Sequence, residues 1–121
     1  MSAWVWVRVA LLSGIAAIGR FLLVALISSR SRGAFPLGTF VVNTTGALLL
    51  GLLTGLAVEG DALLLMGAAT LGSYTTFSTW MLETDRLAED GEIPIAAINI
   101  LLSILVGVGA VALGRAIGAH I

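Results

Sequence analysis

The chain has 121 residues, of which 59% are hydrophobic and only 11% are charged, and it contains no cysteine. Soluble domains carry roughly 25% charged residues, so this composition indicates an integral membrane protein and excludes disulfides and thiolate metal sites. The net charge of −1 and the absence of any basic run give no sign of a nucleic-acid partner. The single histidine, His120, lies beside the C-terminus and is interpreted as a tail residue rather than a ligand.

Four apolar stretches are long enough for helices of about 20 residues that cross about 30 Å of hydrocarbon. They predict an all-α membrane protein with a single four-helix domain over residues 1–121, and they cover residues 4–27, 38–58, 62–82 and 94–116. The first stretch contains Arg20, which a cleavable signal peptide would not carry, so we expect a retained helix.

Polar segments separate the four stretches: a loop at 28–33, a tight turn at 59–61 and an acidic loop at 83–92. The tight turn predicts that the second and third stretches form an antiparallel hairpin. Pro36 is suited to the entry of the second stretch, because proline fits the first turn of a helix.

Arginines flank the predicted helices almost equally on both sides, with Arg8 and Arg115 on the terminal side and Arg30, Arg32 and Arg86 on the other. The positive-inside rule therefore does not choose an orientation. Two explanations stay open: the first loop decides the orientation, or the chain inserts both ways and forms an antiparallel dimer.

Small residues recur at a spacing that favours close helix packing. Gly51 and Gly55 form a GxxxG pair in the second stretch, and Gly114 and Gly118 form another in the fourth. Such pairs let helix backbones approach in lipid. Because four short helices enclose little protected interior, a buried polar site would favour an oligomer.

Two polar side chains lie at membrane depth in the first half of the chain, where such residues are functional hypotheses. Arg20 either extends to the nearer interface or places a fixed positive charge at the mouth of an anion path. Asn43 either makes an interhelical hydrogen bond or contacts a ligand, because a carboxamide has two N–H donors and one acceptor. The sequence leaves both pairs of alternatives open.

Residues 72–80 combine five serine and threonine hydroxyls with three aromatic rings. At 100° per residue, Thr76, Thr79 and Glu83 share one face, and Phe77 and Trp80 occupy a neighbouring one. Hydroxyl hydrogens and the positive edges of aromatic rings both attract anions. Hydroxyls that bond one another or the backbone are the alternative.

Gly72 and Ser73 predict a break in the third helix, with Gly67 upstream of it. Unwound carbonyls at such a break can bind a small cation. In the fourth stretch, Asn99 and Ser103 are four residues apart and share a face. That stripe, which Gly107 continues, is either a packing seam or one wall of a pore.

Three motifs at these residues resemble the Fluc (CrcB) family of fluoride channels. Residues 14–20 look like its glycine-rich first helix ending in arginine, residues 38–46 like its GT-x3-N-x2-G signature, and residues 75–80 like its TTFSTF motif. The resemblance implies an antiparallel, dual-topology homodimer with two fluoride pores, located in the inner (plasma) membrane and embedded in lipid. Pairing with a paralogous chain is an alternative that the resemblance leaves open.

The resemblance also implies roles for single residues. Fluoride would pass Asn43, Phe77, Ser78, Thr79, Trp80, Asn99 and Ser103. Arg20 and Glu83 would supply charge near the pore, and a structural Na⁺ would bind backbone carbonyls of Gly72 and Ser73. Two positions depart from the family pattern: Trp80 replaces a phenylalanine, and Asn99 stands where a tyrosine is expected.

The absence of a pair of titratable groups at membrane depth favours passive conduction over proton-coupled exchange. The resemblance to a channel family implies no enzymatic activity. A small multidrug-type transporter has a similar architecture, but it would need a glutamate in the first helix, which has no acid. A non-transporting membrane scaffold subunit is the other alternative, and it predicts that the hydroxyls of residues 75–79 are dispensable.

Overall fold

The computed structural model describes residues 2–121, most of which are helical. In chain order the helices are α1 (Ala3–Arg30), α2 (Leu37–Gly55), α3 (Gly60–Leu63), α4 (Gly72–Tyr74), α5 (Phe77–Glu89) and α6 (Ile93–Ala119), with a π-helical segment, Leu64–Leu71, between α3 and α4. Three of them, α1, α2 and α6, are long and apolar enough to cross a membrane. The chain is therefore a multi-pass membrane protein.

The three long helices confirm three of the predicted stretches and show what ends them. At about 1.5 Å per residue, the 28 residues of α1 span about 42 Å, more than the hydrocarbon thickness. The chain turns extended at Ser31, and Pro36 immediately precedes α2, as predicted. Pro94 lies in the first turn of α6, where its missing N–H leaves no helical hydrogen bond unmade.

The predicted acidic loop at 83–92 is wrong, because α5 continues to Glu89. The acidic residues belong to a helix that buries Thr84 and Leu87, one turn apart, and exposes Asp85 and Glu89. Acidity alone suggested a loop, but the buried positions have helical spacing. The chain leaves the helix only near Gly91, whose φ of 81° favours glycine.

The two GxxxG pairs face each other, because α2 packs chiefly along α6. A Cβ on Gly51 would collide with the backbone of Val111, and one on Gly114 would collide with the Leu48 carbonyl oxygen. Gly55 and Gly118 meet the backbone of the facing helix in the same way. The expectation that these glycines permit close helix packing is confirmed, and the contact lies within one chain.

Helix α1 packs mainly against the π-helical segment and α4 rather than against α6. The Ser13 hydroxyl donates to the carbonyl oxygen of Ala69 in that segment, at 3.1 Å. Most of α1 stays uncovered within the chain: Ile15 is 67% exposed and Phe21 is 72% exposed. The π-helical segment and α4 therefore lie mainly against α1 and less against α2, the predicted hairpin partner.

Replacing Gly114 by alanine should destabilise the protein, because the new Cβ meets the Leu48 carbonyl, a backbone atom that cannot move aside. Overpacking of this kind typically costs about 1–3 kcal/mol. The matched control is Gly109→Ala on the same helix, where a Cβ has nothing within 4 Å. Thermal unfolding followed by circular dichroism in detergent should show a lower midpoint for Gly114→Ala only. Equal midpoints for the two variants would contradict the α2–α6 contact.

Candidate functional site

Helical hydrogen bonding stops at two extended residues, Thr75 (φ −84°, ψ 161°) and Thr76 (φ −148°, ψ 121°). Asn43 of α2 bonds both backbone groups of Thr76. Its Nδ2 donates to the Thr76 carbonyl oxygen at 2.9 Å, and its Oδ1 accepts from the Thr76 N–H at 2.8 Å. Because an unpaired backbone group in hydrocarbon costs several kcal/mol by order of magnitude, this paired contact makes the extended turn tolerable at membrane depth.

Of the two alternatives for Asn43, the structure shows the hydrogen bond between helical segments. Its partner is the backbone, not another side chain. Thr76 also caps α5, because its hydroxyl accepts from the N–H of Thr79 at 3.2 Å. The turn at Thr75 and Thr76 is thus held by α2 on one side and begins α5 on the other.

Arg20 of α1 reaches the same turn. Its Nη1 lies 3.2 Å from the Ser73 carbonyl oxygen and 3.3 Å from that of Thr75. A guanidinium donates to carbonyls that have lost their helical partners, and its positive charge complements their partial negative charge. Neither alternative drawn from the sequence anticipated this contact with the third stretch.

Close approach of α2 to the turn depends on Gly46. A Cβ there would collide with the Thr75 side chain and lie 3.3 Å from the Tyr74 ring. One residue earlier, the Thr45 hydroxyl lies 2.9 Å from the Tyr74 hydroxyl. Together with the Asn43 hydrogen bonds, these contacts fix the position of the turn along the axis of α2.

Gly72 and Ser73 are both helical, so the break predicted at these two residues is wrong in position. Ser73 carries the Arg20 contact on its carbonyl, and a guanidinium does not favour a second cation at that oxygen. Gly72 fits better: the Thr76 N–H, which would bond its carbonyl in a continuous α-helix, donates to Asn43 instead. Among the described residues, the Gly72 carbonyl therefore lacks the partner that a continuous α-helix would give it.

The aromatic pair begins α5. The ring centroids of Phe77 and Trp80 are 5.7 Å apart at an interplanar angle of 77°, so one ring presents its edge to the other's face. Phe77 is 69% exposed within the chain, and Ser78 beside it is also exposed. The predicted neighbouring positions of Phe77 and Trp80 are confirmed.

A cavity of about 380 Å³ lies between α1 and α5 and brings Arg20 together with two of the predicted hydroxyls; its lining is Arg20, Phe21, Val24, Ala25, Thr76 and Thr79. A guanidinium and two hydroxyls can all donate hydrogen bonds, whereas no carboxylate lines this cavity in the described part of the chain. The cavity is thus mostly apolar, and its few polar groups include one positive charge and two hydroxyls.

Glu83 lies apart from that cavity, although it shares a helix face with Thr79 by spacing. It lines a separate cavity of about 300 Å³ with Arg86, Asp90 and the loop between α1 and α2. Its Oε1 is buried and, among residues 2–121, has no hydrogen-bond partner. The structure thus brings Thr76 and Thr79 together with Arg20 and leaves Glu83 one turn further along α5.

The predicted stripe of Asn99, Ser103 and Gly107 on α6 is only partly a single contact in the structure. Asn99 is fully buried between α5 and α6, and the Ser103 hydroxyl lies 3.4 Å from its Oδ1. A Cβ on Gly107 would have no neighbour within 4 Å, so Gly107 does not continue this seam inside the chain. Sequence reasoning missed Thr84, whose hydroxyl accepts from the Asn99 amide at 2.9 Å. Its spacing of four from Trp80 was the available signal.

The family profile described as "CrcB-like protein, Camphor Resistance (CrcB)" matches residues 7–115. The chain belongs to this CrcB-like family. The resemblance drawn from the three sequence motifs is thereby confirmed, and the matched range includes the residues of the turn, the aromatic pair, Arg20 and Asn43.

Named relatives agree with the family match. A protein of Mycolicibacterium paratuberculosis named "Fluoride-specific ion channel FluC 2" is 49% identical over 111 residues, which cover 92% of this chain and 91% of the relative. "Fluoride-specific ion channel FluC 1" of Symbiobacterium thermophilum is 42% identical and covers 93% of this chain and 96% of its own length. A second protein named "Fluoride-specific ion channel FluC 1", from Ligilactobacillus salivarius, is 38% identical; the match covers 93% of this chain and 97% of that relative.

Proposed function

We propose that this CrcB-like protein is a fluoride-selective channel of the inner membrane that passively exports cytoplasmic fluoride. The observation that carries the proposal is the grouping at the start of α5: the exposed edge-to-face pair Phe77–Trp80, with Ser78 and Thr79 between its members. The matches to relatives named as fluoride-specific channels cover more than nine-tenths of this chain.

Fluoride holds its water tightly, so a pore must replace that shell with closely spaced donors. Hydroxyls of Ser78 and Thr79 and the positive edge of the Phe77 ring provide such donors without a deep cationic trap, and conduction requires that ions leave again. Asn43 acts in this proposal by holding the turn from which these donors project. Ser103 lines the opposite side, on α6, and the fully buried Asn99 acts by accepting a hydrogen bond from the Ser103 hydroxyl and holding it in place.

Arg20 supplies the positive charge for entry. Its guanidinium lies in the cavity with Thr76 and Thr79, while its two backbone contacts keep it fixed at the turn. A charge held in this way attracts an anion from solution, and charged clefts of one sign raise the local concentration of the oppositely charged ion. Glu83 lies one turn further along α5 in a separate cavity. Its negative charge would repel anions from that cavity and leave the path beside the hydroxyls.

The functional unit in this proposal is an antiparallel homodimer with dual topology and two pores, in which the third stretch is a fourth membrane crossing interrupted at Thr75 and Thr76. Two observations support a second copy. An apolar groove of about 710 Å³ runs between α2 and the π-helical segment, with Asn43, Gly72 and Thr75 at one end. Phe77 is largely uncovered in the single chain.

A Na⁺ at the dimer centre would bind the Gly72 carbonyls of both copies, because this oxygen lacks its α-helical partner and lies along the groove. The ion would join the two copies at the interrupted helices. The alternatives, a multidrug-type transporter and a scaffold subunit, have no observation in their favour: α1 carries no acid, and the hydroxyls of the third stretch are organised around one turn.

Purified protein in liposomes should release fluoride and retain chloride. Phe77→Ile should abolish fluoride release, because it removes the exposed ring edge without removing a contact that holds the turn. The matched control is Phe35→Ile, a ring in the loop before α2 that packs edge-to-face on Phe40. Ion-selective electrodes measure both anions. Equal release of fluoride and chloride, or unchanged fluoride release by Phe77→Ile, would contradict the proposal.

Dual topology is tested separately from transport. A cysteine added after Ile121, in a chain that has no other cysteine, should be labelled from both sides of the membrane by an impermeant maleimide. Labelling from outside should reach about half of the sites and labelling after permeabilisation the rest. Complete labelling from one side alone would exclude an antiparallel dimer.

A further inference from the structure

Three hydrogen bonds join Trp80 to the interior of the chain in a closed loop. The indole Nε1 donates to the Asn99 carbonyl oxygen at 3.4 Å, the Asn99 Nδ2 donates to the Thr84 hydroxyl at 2.9 Å, and that hydroxyl donates to the Trp80 carbonyl oxygen at 2.8 Å. Asn99 is fully buried and Thr84 is 8% exposed. The loop links the ring, α6 and the backbone of α5.

The number of polar hydrogens on each group decides whether that group can also contact an anion. The Thr84 hydroxyl has one hydrogen, which the Trp80 carbonyl takes, and the indole has one N–H, which the Asn99 carbonyl takes. Neither has a hydrogen left for fluoride. The two residues that depart from the family pattern, Trp80 and Asn99, are thus bonded to each other.

The indole bond is the longest of the three, beyond the usual 2.7–3.2 Å for N–H···O. Its strength therefore depends on how firmly the Asn99 carbonyl is held in place. The short contact between the Asn99 amide and Thr84 does this, because it fixes the distance between α5 and α6 at that level.

We propose that Thr84 and Asn99 are positioning residues that hold the Trp80 ring with its N–H turned inward and its plane perpendicular to Phe77. The inference deepens the proposed fluoride channel and rests on it. Trp80 then acts on the anion through its ring, whose orientation the loop sets, and its N–H gives no direct contact. Loss of the Thr84 hydroxyl should let the ring turn and should reduce fluoride passage.

A double-mutant cycle in liposomes tests this coupling. Thr84→Val keeps the shape of the side chain and removes its hydroxyl, and it should lower fluoride efflux roughly five-fold, the ratio that one hydrogen bond of about 1 kcal/mol supports. In a Trp80→Phe background the same change should have no effect, because phenylalanine has no N–H for Asn99 to hold. Thr84→Ser should restore wild-type efflux.

Two controls separate positioning from general loss of structure. Thr54→Val removes a hydroxyl that bonds only its own helix, at Gly51, and should leave efflux unchanged. Thr84→Ala serves as a second variant if Thr84→Val does not form the native oligomer on a sizing column. A five-fold loss that persists in the Trp80→Phe background, or no loss in either background, would overturn the proposal.

A spectroscopic measurement does not depend on transport. In a protein carrying Trp4→Phe and Trp6→Phe, Trp80 is the sole tryptophan. Adding Thr84→Val should shift its emission to shorter wavelength, because the indole N–H is no longer held against the Asn99 carbonyl oxygen, and Thr54→Val should not. If wild-type liposomes release no fluoride but the shift is seen, the channel proposal fails and the hydrogen-bonded loop stands. An unchanged emission would overturn the loop itself.

Discussion

The contact on which the rest of the site depends is the pair of hydrogen bonds between the Asn43 carboxamide and the backbone of Thr76. An extended turn exposes backbone polar groups that hydrocarbon cannot satisfy, and one side chain with both a donor and an acceptor satisfies two of them. Because the Thr76 N–H bonds Asn43, the Gly72 carbonyl is left free, α5 begins at Phe77, and the aromatic pair projects from its first turn.

The close packing of α2 on α6 links the Asn43 contact to the opposite side of the third stretch. Four glycines bring the two helices together, and α6 in turn places Asn99 beside Thr84 and Trp80. Asn43 on α2 and Asn99 on α6 thus hold opposite ends of one motif: the first bonds the backbone that begins it, and the second bonds the ring near its end. Both carboxamides organise the protein rather than project into an open path.

The sequence predicted the long helices, the glycine contacts and the polar residues of the third stretch, because each depends on composition or on a short period. It placed the break at Gly72 and Ser73, since glycine is the usual helix breaker. The structure interrupts the helix at Thr75 and Thr76, because Asn43 bonds Thr76 across 33 positions of sequence. The partners of Arg20 and the role of Thr84 likewise depend on packing between distant segments, which no local pattern reports. The prediction of an acidic loop at 83–92 was wrong for a related reason: burial of one face of α5 stabilises a helix there despite the acidic residues on its exposed face.

Hydrogen exchange at the Thr76 amide tests the central claim most directly. In the wild-type protein in detergent this amide should exchange as slowly as those of α2, because it donates to Asn43 and not to water. It should exchange rapidly in Asn43→Leu, while Thr44→Val, one position along, should leave it protected. Rapid exchange in the wild type, or slow exchange in Asn43→Leu, would contradict the account.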